Sequence, residues 1–172
     1  MKTLAARYKP LRKIIHVPVR VQEETITHLR TCGTDGSEGL VVWSGLQLEA
    51  NEFTINTAVI PKGLVFRHYA NLRFSDEALE TIADEILSRG EKLIAQVHTH
   101  PRDAFHSIID DRYPIIHRQG LLSIVLPYFA RDGFSTLAGI RIYEYTGDNK
   151  WYEFDRKEVR ENLKLEVTHA TF

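Results

Sequence analysis

The sequence predicts one α/β domain in which a mixed β-sheet is flanked by helices. The chain has 172 residues, an ordinary length for a single domain. Residues 93–97 and 121–126 are short, nearly continuous apolar runs, which are typical of strands buried on both faces. Residues 75–90 carry apolar side chains at helical spacing. Buried strands combined with an amphipathic helix favour the α/β class.

The N-terminal part of the chain predicts a strand followed by a helix. Residues 13–19 are apolar enough for a first strand, and Pro18, which has no amide hydrogen to donate, favours a position near an edge of the sheet. Residues 21–31 place apolar side chains on one helical face, and Gly33 is a suitable end for that helix.

The middle of the chain predicts a hairpin, an irregular stretch and the clearest helix. Residues 38–49 and 53–61 are apolar segments separated by a turn, and we expect them to pair. Residues 61–74 show no regular period. Ser75 is a suitable N-cap for the helix at 75–90, because its hydroxyl can accept a hydrogen bond from a helical amide.

The rest of the chain predicts three more strands and a terminal helix that begins after Asp155. The predicted strands are 121–127, 137–145 and 151–154, and the helix is 156–165. We therefore expect three parts: an N-terminal arm with the entry strand (1–19), a main domain (20–155) and a C-terminal helix or tail (156–172).

Composition excludes several classes of protein. Hydrophobic residues make up 43% and charged residues 26% of the chain, which indicates a folded protein. The formal net charge is −1, so neither a nucleic-acid partner nor an anionic membrane partner is expected. No apolar run approaches the roughly 18 residues of a membrane span. Cys32 is the single cysteine, and the N-terminus lacks the apolar region of a secretion signal, so we expect a cytoplasmic location.

Two histidines at the end of the 93–97 run are candidate metal ligands. On a strand, alternate side chains point to the same face, so His98 and His100 can direct both imidazoles to one point. Asp110 follows ten residues after His100. Two imidazoles and one carboxylate suit zinc, and a fourth position left to water makes such a site catalytic. The alternative is that the histidines are ordinary core residues.

The segments His98-Thr99-His100-Pro101 and Ser107-Ile108-Ile109-Asp110 resemble the zinc motif of the JAMM (MPN-type) metallopeptidase family. That motif is His-x-His-Pro, a short loop and Ser-x-x-Asp. The resemblance implies a cytidine-deaminase-like/MPN fold for residues 20–155. It also implies that the two histidines and the aspartate bind zinc and that Ser107 stabilises the oxyanion.

The third ligand has an alternative. The loop between Pro101 and Ser107 has five residues, whereas the family usually has six. Asp110 fits the spacing from Ser107, and Asp111 fits the distance from the first histidine. We favour Asp110, because a helical turn would fix it relative to Ser107. His106 is a candidate hydrogen-bond partner of a metal ligand or a substitute ligand, or else a surface histidine of the loop.

The resemblance also implies a general base from an earlier strand, and Glu38 is the acidic residue in the corresponding position. It precedes the apolar and glycine-containing segment Gly39–Gly45. Without the zinc motif, Glu38 would be read as a solvated residue at the entrance of a strand.

The family resemblance implies a zinc metallo-isopeptidase that cleaves after the C-terminal tail of a ubiquitin-like protein. Two alternatives remain. One is hydrolysis of a small amide or of an adduct on a sulfur-carrier protein. The other is a metal-free MPN scaffold that only binds partners. Substrate assays separate the first alternative from the main hypothesis, and metal content separates the second.

Overall fold

The computed structural model describes residues 10–62, 65–68, 71–105 and 118–167. These residues form ten strands: β1 (Ile14–Val17), β2 (Leu40–Glu49), β3 (Glu52–Val59), β4 (Val65–His68), β5 (Asn71–Phe74), β6 (Lys92–Thr99), β7 (Leu122–Leu126), β8 (Arg141–Gly147), β9 (Lys150–Glu153) and β10 (Leu163–Leu165). They also form three α-helices: α1 (Val19–Gly33), α2 (Asp76–Ser88) and α3 (Arg156–Asn162). A single 3-10 turn spans Tyr128–Ala130.

Eight of these strands form one mixed sheet in the order β10-β1-β3-β2-β6-β7-β8-β9. The β1–β10, β1–β3 and β6–β7 pairs are parallel, and the other pairs are antiparallel. The two remaining strands, β4 and β5, form a separate antiparallel hairpin. The prediction of a mixed sheet with flanking helices is therefore confirmed.

The central strands are buried on both faces because helices cover each side. On one face Val41 of β2 belongs to a core cluster with Leu29 of α1. On the other face Leu40 of β2 packs in a second cluster with Ile82 of α2. This arrangement explains the nearly continuous apolar runs of the central strands. None of the helices in the described ranges is both long and apolar enough to cross a membrane.

The structure differs from the sequence-based expectation at residues 61–74. That stretch was expected to be irregular, but it contains the β4–β5 hairpin, in which Val65 pairs with Phe74 and His68 with Asn71. Val65–His68 shows no alternation of apolar and polar residues, and Asn71–Phe74 alternates over only four residues, so it is the pairing that reveals these two strands.

Pro18 favoured an edge position for the first strand, but the structure places this strand inside the sheet. β1 lies between β3 and β10, and Pro18 follows the strand as the N-cap residue of α1. Its missing amide hydrogen therefore costs no sheet hydrogen bond. The outer side of β1 is covered by β10, a strand near the C-terminal end that sequence analysis assigned to a helix. Residues from both predicted flanks, 1–19 and 156–172, thus contribute strands to the main sheet.

One buried hydrogen bond ties α1 to the sheet. The indole Nε1 of Trp43 on β2 donates to Oγ1 of Thr25 on α1 at 2.8 Å, and both residues are fully buried. The indole N–H needs an acceptor there, because water does not reach it.

We predict that Thr25→Val destabilises the fold by about 1–3 kcal/mol, because it leaves the Trp43 indole N–H buried without its acceptor. Chemical denaturation followed by tryptophan fluorescence measures the change. Thr27→Val on the exposed side of the same helix is the matched control and should change the free energy of unfolding little. Equal stabilities of the two variants would contradict the prediction.

Candidate active site

Strand β6 brings His98 and His100 to the same sheet face. Thr99 between them points to the opposite face and is fully buried. The backbone of His100 continues the sheet just beyond the strand, since its N–H donates to the Leu126 carbonyl of β7 at 3.0 Å. Both imidazoles are buried, with 2% and 3% of their residue surface exposed. The predicted pair is therefore held at the end of a central strand.

Glu38 reaches the same face through the pairing of β2 with β6. In that antiparallel pair Leu40 lies opposite His98. Continuing the register by two residues brings Glu38 opposite His100, and residues directly opposite each other project from the same face. Glu38 is 8% exposed. The structure thus brings together three of the predicted site residues, which come from two segments far apart in the chain.

Thr99 holds the register at this point. Its backbone N–H donates to the Gly39 carbonyl at 3.1 Å, and its Oγ1 accepts from the Gly39 N–H at 2.9 Å. Gly39 also packs closely on α1, because a Cβ at this position would lie 2.9 Å from a Leu29 methyl group and 3.1 Å from the Cys32 Cβ. The backbone just after Glu38 is therefore fixed from both sides.

The histidine pair suits a metal ion. The two ring centroids are 5.2 Å apart, with 47° between the ring planes. Two imidazoles that bind one tetrahedral zinc at about 2.0–2.1 Å would have their centroids roughly 5 Å apart. Phe105 packs edge-on against the His100 ring, with a centroid distance of 4.5 Å. Two imidazoles held in this way are a suitable donor pair for such an ion.

The remaining predicted site residues lie outside the described residues. These are Ser107, Asp110, its alternative Asp111, and His106. Within the described ranges, no group of three histidine, cysteine, aspartate or glutamate side chains forms a metal site. The described part of the chain therefore contributes two of the three predicted ligands, and the third remains a prediction.

A left-handed turn holds the backbone around His100. Tyr128, Phe129 and Ala130 all have positive φ, at 54°, 53° and 58°. The amide of Phe129 donates to the His100 carbonyl at 2.9 Å, and that of Tyr128 donates to the Arg102 carbonyl at 3.0 Å. A left-handed conformation costs a non-glycine residue about 1–2 kcal/mol. The turn therefore depends on contacts with its surroundings.

Side chains supply some of those contacts. Tyr128 donates its hydroxyl to Oδ1 of Asp103 at 2.7 Å, and this hydrogen bond raises the pKa of Tyr128. Arg30 of α1 donates to the carbonyls of Ala130 at 3.0 Å and Arg131 at 2.7 Å. Helix α1 and the loop after His100 thus hold the turn from two sides.

Sequence analysis did not find this turn. It contains no glycine or asparagine, the residues that usually indicate positive φ. Gly33 is the one residue whose type is related to this turn, but in the sequence it indicates only the end of a helix. A Cβ at Gly33 would lie 2.6 Å from the Phe129 Cβ, so glycine at this position allows the turn to pack against α1.

Comparison with known proteins identifies the family. No family model matches the chain. A protein of Sinorhizobium fredii (strain NBRC 101917 / NGR234) named probable metalloprotease y4jG is 37% identical over 134 residues, which cover 73% of this chain and 78% of the relative. The relative's name specifies neither the metal nor the substrate.

Two solved structures are also similar, each at 12% identity. The solution structure of DSY2949 from Desulfitobacterium hafniense has a TM-score of 0.64 and covers 91% of this chain and 96% of that protein. This similarity concerns the fold alone. The crystal structure of AF2198, a JAB1/MPN domain protein from Archaeoglobus fulgidus, covers 89% of this chain and 97% of that protein at a TM-score of 0.47, below the level at which we infer a shared fold.

The fold and the relative together define a metallopeptidase-type α/β domain. The chain belongs to the JAMM (MPN-type) metallopeptidase family that its motif had indicated. Membership implies a metal cofactor and supports the predicted MPN fold. It specifies neither zinc nor a substrate.

We predict that Thr99→Val lowers the free energy of unfolding by about 1–3 kcal/mol, because the buried Gly39 N–H loses its acceptor. Thr99→Ser keeps the hydroxyl and should lose only about 0.8 kcal/mol for the missing methyl group. Urea denaturation of both variants measures the difference. A valine variant as stable as the wild type would contradict the role of Thr99 in the register.

We also predict that Gly33→Ala destabilises the protein by about 1–3 kcal/mol, since the new methyl group overlaps the Phe129 side chain. Urea denaturation provides the measurement, and Phe129→Gly provides the partner for a double-mutant cycle, because it removes the Cβ that the new methyl group would overlap. The combined change in the free energy of unfolding should therefore be less unfavourable than the sum of the two single changes. Additive losses would exclude this contact as the cause.

Proposed function

We propose that this protein is a zinc-dependent metallo-isopeptidase that cleaves after the C-terminal tail of a ubiquitin-like protein. The observation that carries the proposal is the β2–β6 register, which pairs Leu40 with His98 and which the Gly39–Thr99 hydrogen bonds continue towards Glu38 and His100. Membership of a metallopeptidase family supports the hydrolytic chemistry. The isopeptidase specificity rests on the family resemblance of the motif.

In this proposal His98, His100 and Asp110 hold the zinc ion. When bound, zinc would lower the pKa of a coordinated water well below that of free water and polarise the scissile carbonyl. Glu38 acts as general base: its carboxylate takes one proton from the attacking water and gives it to the leaving amine. Its low exposure suits this role, because exclusion of water limits the loss of that proton to bulk solvent.

Ser107 is proposed to donate a hydrogen bond to the oxyanion that forms on the scissile carbonyl. One well-placed donor of this kind contributes about 3 kcal/mol to the stabilisation of the transition state. The proposal connects Ser107 and Asp110 through their spacing in one predicted helical turn. Hydrogen bonds to the carbonyls of His100 and Arg102 support this proposal, because they hold the backbone from which the chain continues to Ser107 and Asp110.

A ubiquitin-like tail as substrate and a cytoplasmic location are both proposals from the family resemblance and the single cysteine. The alternative function with the same chemistry is hydrolysis of a small amide or of an adduct on a sulfur-carrier protein. A metal-free binding scaffold is the third hypothesis, and the aligned Glu38, His98 and His100 count against it.

We predict that the wild type binds one zinc per chain and cleaves a ubiquitin-like fusion in a chelator-sensitive reaction. His98→Ala should lose both metal and turnover, because it removes a ligand. Glu38→Ala should keep the metal and lose turnover by a factor of about 100 or more, since only the general base is removed. Metal analysis and a cleavage assay give the two readouts, and Glu23→Gln on the exposed side of α1 is the charge-matched control.

Asp110→Ala and Asp111→Ala separate the two candidates for the third ligand. Zinc loss in the first variant alone would support Asp110, and loss in the second alone would transfer the role to Asp111. Full retention of metal in His98→Ala would contradict the ligand set. A wild type without zinc and without cleavage would leave the scaffold hypothesis as the better one.

A further inference from the structure

A cavity lies away from the candidate active site. It has a volume of about 380 Å³ and lies between α3 and the segment 136–141. Its apolar wall includes Ile140, Phe154 and Val159, each at most 4% exposed. These residues belong to the core cluster on the sheet face opposite to His98. The cavity is thus separated from the histidine pair by the sheet itself.

Three arginines line the same cavity beside its apolar wall. Arg141 starts β8, and Arg156 and Arg160 lie four residues apart on α3. The Nε of Arg160 donates to the Arg156 carbonyl at 3.1 Å, which holds the guanidinium close to the helix and leaves its terminal nitrogens as further donors. The cavity therefore combines an apolar interior with several cationic donors.

Only one described carboxylate pairs with these arginines. Glu153 lies 3.5 Å from Arg141, and both side chains are about half exposed, so the pair is weak. The other carboxylates of this region have different partners: Asp155 caps α3, Glu158 accepts from Tyr152, and Glu161 pairs with Lys157. Every charged side chain that lines the cavity is an arginine, and Asp155 and Glu158 keep their negative charges on α3 and at its N-terminus.

We propose that this cavity is a binding site for a small organic anion, a carboxylate attached to an apolar body. The apolar part would pack against Phe154 and Val159, and the carboxylate would lie between Arg156 and Arg160. Guanidinium groups bind carboxylates with charge-assisted hydrogen bonds, which are stronger than neutral ones. The proposal goes beyond the hydrolase function and does not depend on it.

The size and polarity of the cavity support this class of ligand. A volume of about 380 Å³ is at the lower end of the range of small-molecule sites, roughly 300–1,000 Å³. Thr136 lines the same cavity, and its Oγ1 accepts from the Ala138 N–H at 3.2 Å, so its hydroxyl hydrogen can be directed to a ligand. An apolar cavity with a few polar donors is the usual design of such sites.

Titration of the full chain with three related probes tests the proposal. The probes are phenylacetate, its neutral isostere phenylacetamide, and acetate, which has the charge without the apolar body. We expect phenylacetate to bind with a Kd of about 1 mM or tighter and the other two at least about tenfold more weakly. Backbone amide shifts should concentrate in residues 136–141 and 154–160.

Substitutions on α3 give the matched controls. Arg156→Gln and Arg160→Gln each remove one exposed charge and should each weaken phenylacetate binding by about tenfold. Lys157→Gln removes the same charge from the same helix, but Lys157 pairs with Glu161 and does not line the cavity. It should leave the affinity unchanged.

Three outcomes would overturn the proposal. One is equal binding of phenylacetamide and phenylacetate, which would mean that the arginines do not select a charge. Another is that Lys157→Gln weakens phenylacetate binding as much as the arginine variants do, which would mean that α3 attracts anions in general and not through the cavity. The third is the absence of saturable shifts around the cavity. Since none of these readouts uses turnover or bound metal, failure here and failure of the proposed peptidase activity are distinguishable.

Discussion

The antiparallel register between β2 and β6 is the constraint on which the candidate site depends. Continued by two residues, it brings Glu38 opposite His100, although β3, the β4–β5 hairpin and α2 separate the two strands along the chain. A shift of one residue would turn Glu38 to the other face of the sheet. Two interactions oppose such a shift: the double hydrogen bond between Gly39 and Thr99, and the burial of both strands by helices on each side.

The left-handed turn at Tyr128–Ala130 shows how the fold supports a strained element. Three consecutive non-glycine residues with positive φ are unfavourable by themselves. Hydrogen bonds from Arg30 and to the carbonyl of His100 offset that cost, and Gly33 gives the Phe129 side chain room against α1. The same helix thus packs on the sheet and holds the turn beside the histidines. Strain that is kept in place in this way is common near functional sites.

Elements with a long, clear period could be predicted, whereas three of the short strands could not. Helix α2 has a serine cap and apolar residues at helical spacing, and the structure contains it at Asp76–Ser88, with the Ser75 hydroxyl accepting from Ala78. The hairpin of β2 and β3 was also predicted. In contrast, β4, β5 and β10 have only three or four residues each, and their existence depends on the partners with which they pair.

The sequence by itself determined the residue types of the motif and the face on which each strand presents them. His98 and His100 had to share a face because side chains on a strand alternate, and the spacing of Ser107 and Asp110 indicated the family. Tertiary structure decided which distant residue meets the histidines and how the backbone after His100 is held. Local periodicity is encoded within a few residues, whereas contacts such as that between Gly39 and Thr99 join segments 60 residues apart and form only when the whole sheet packs.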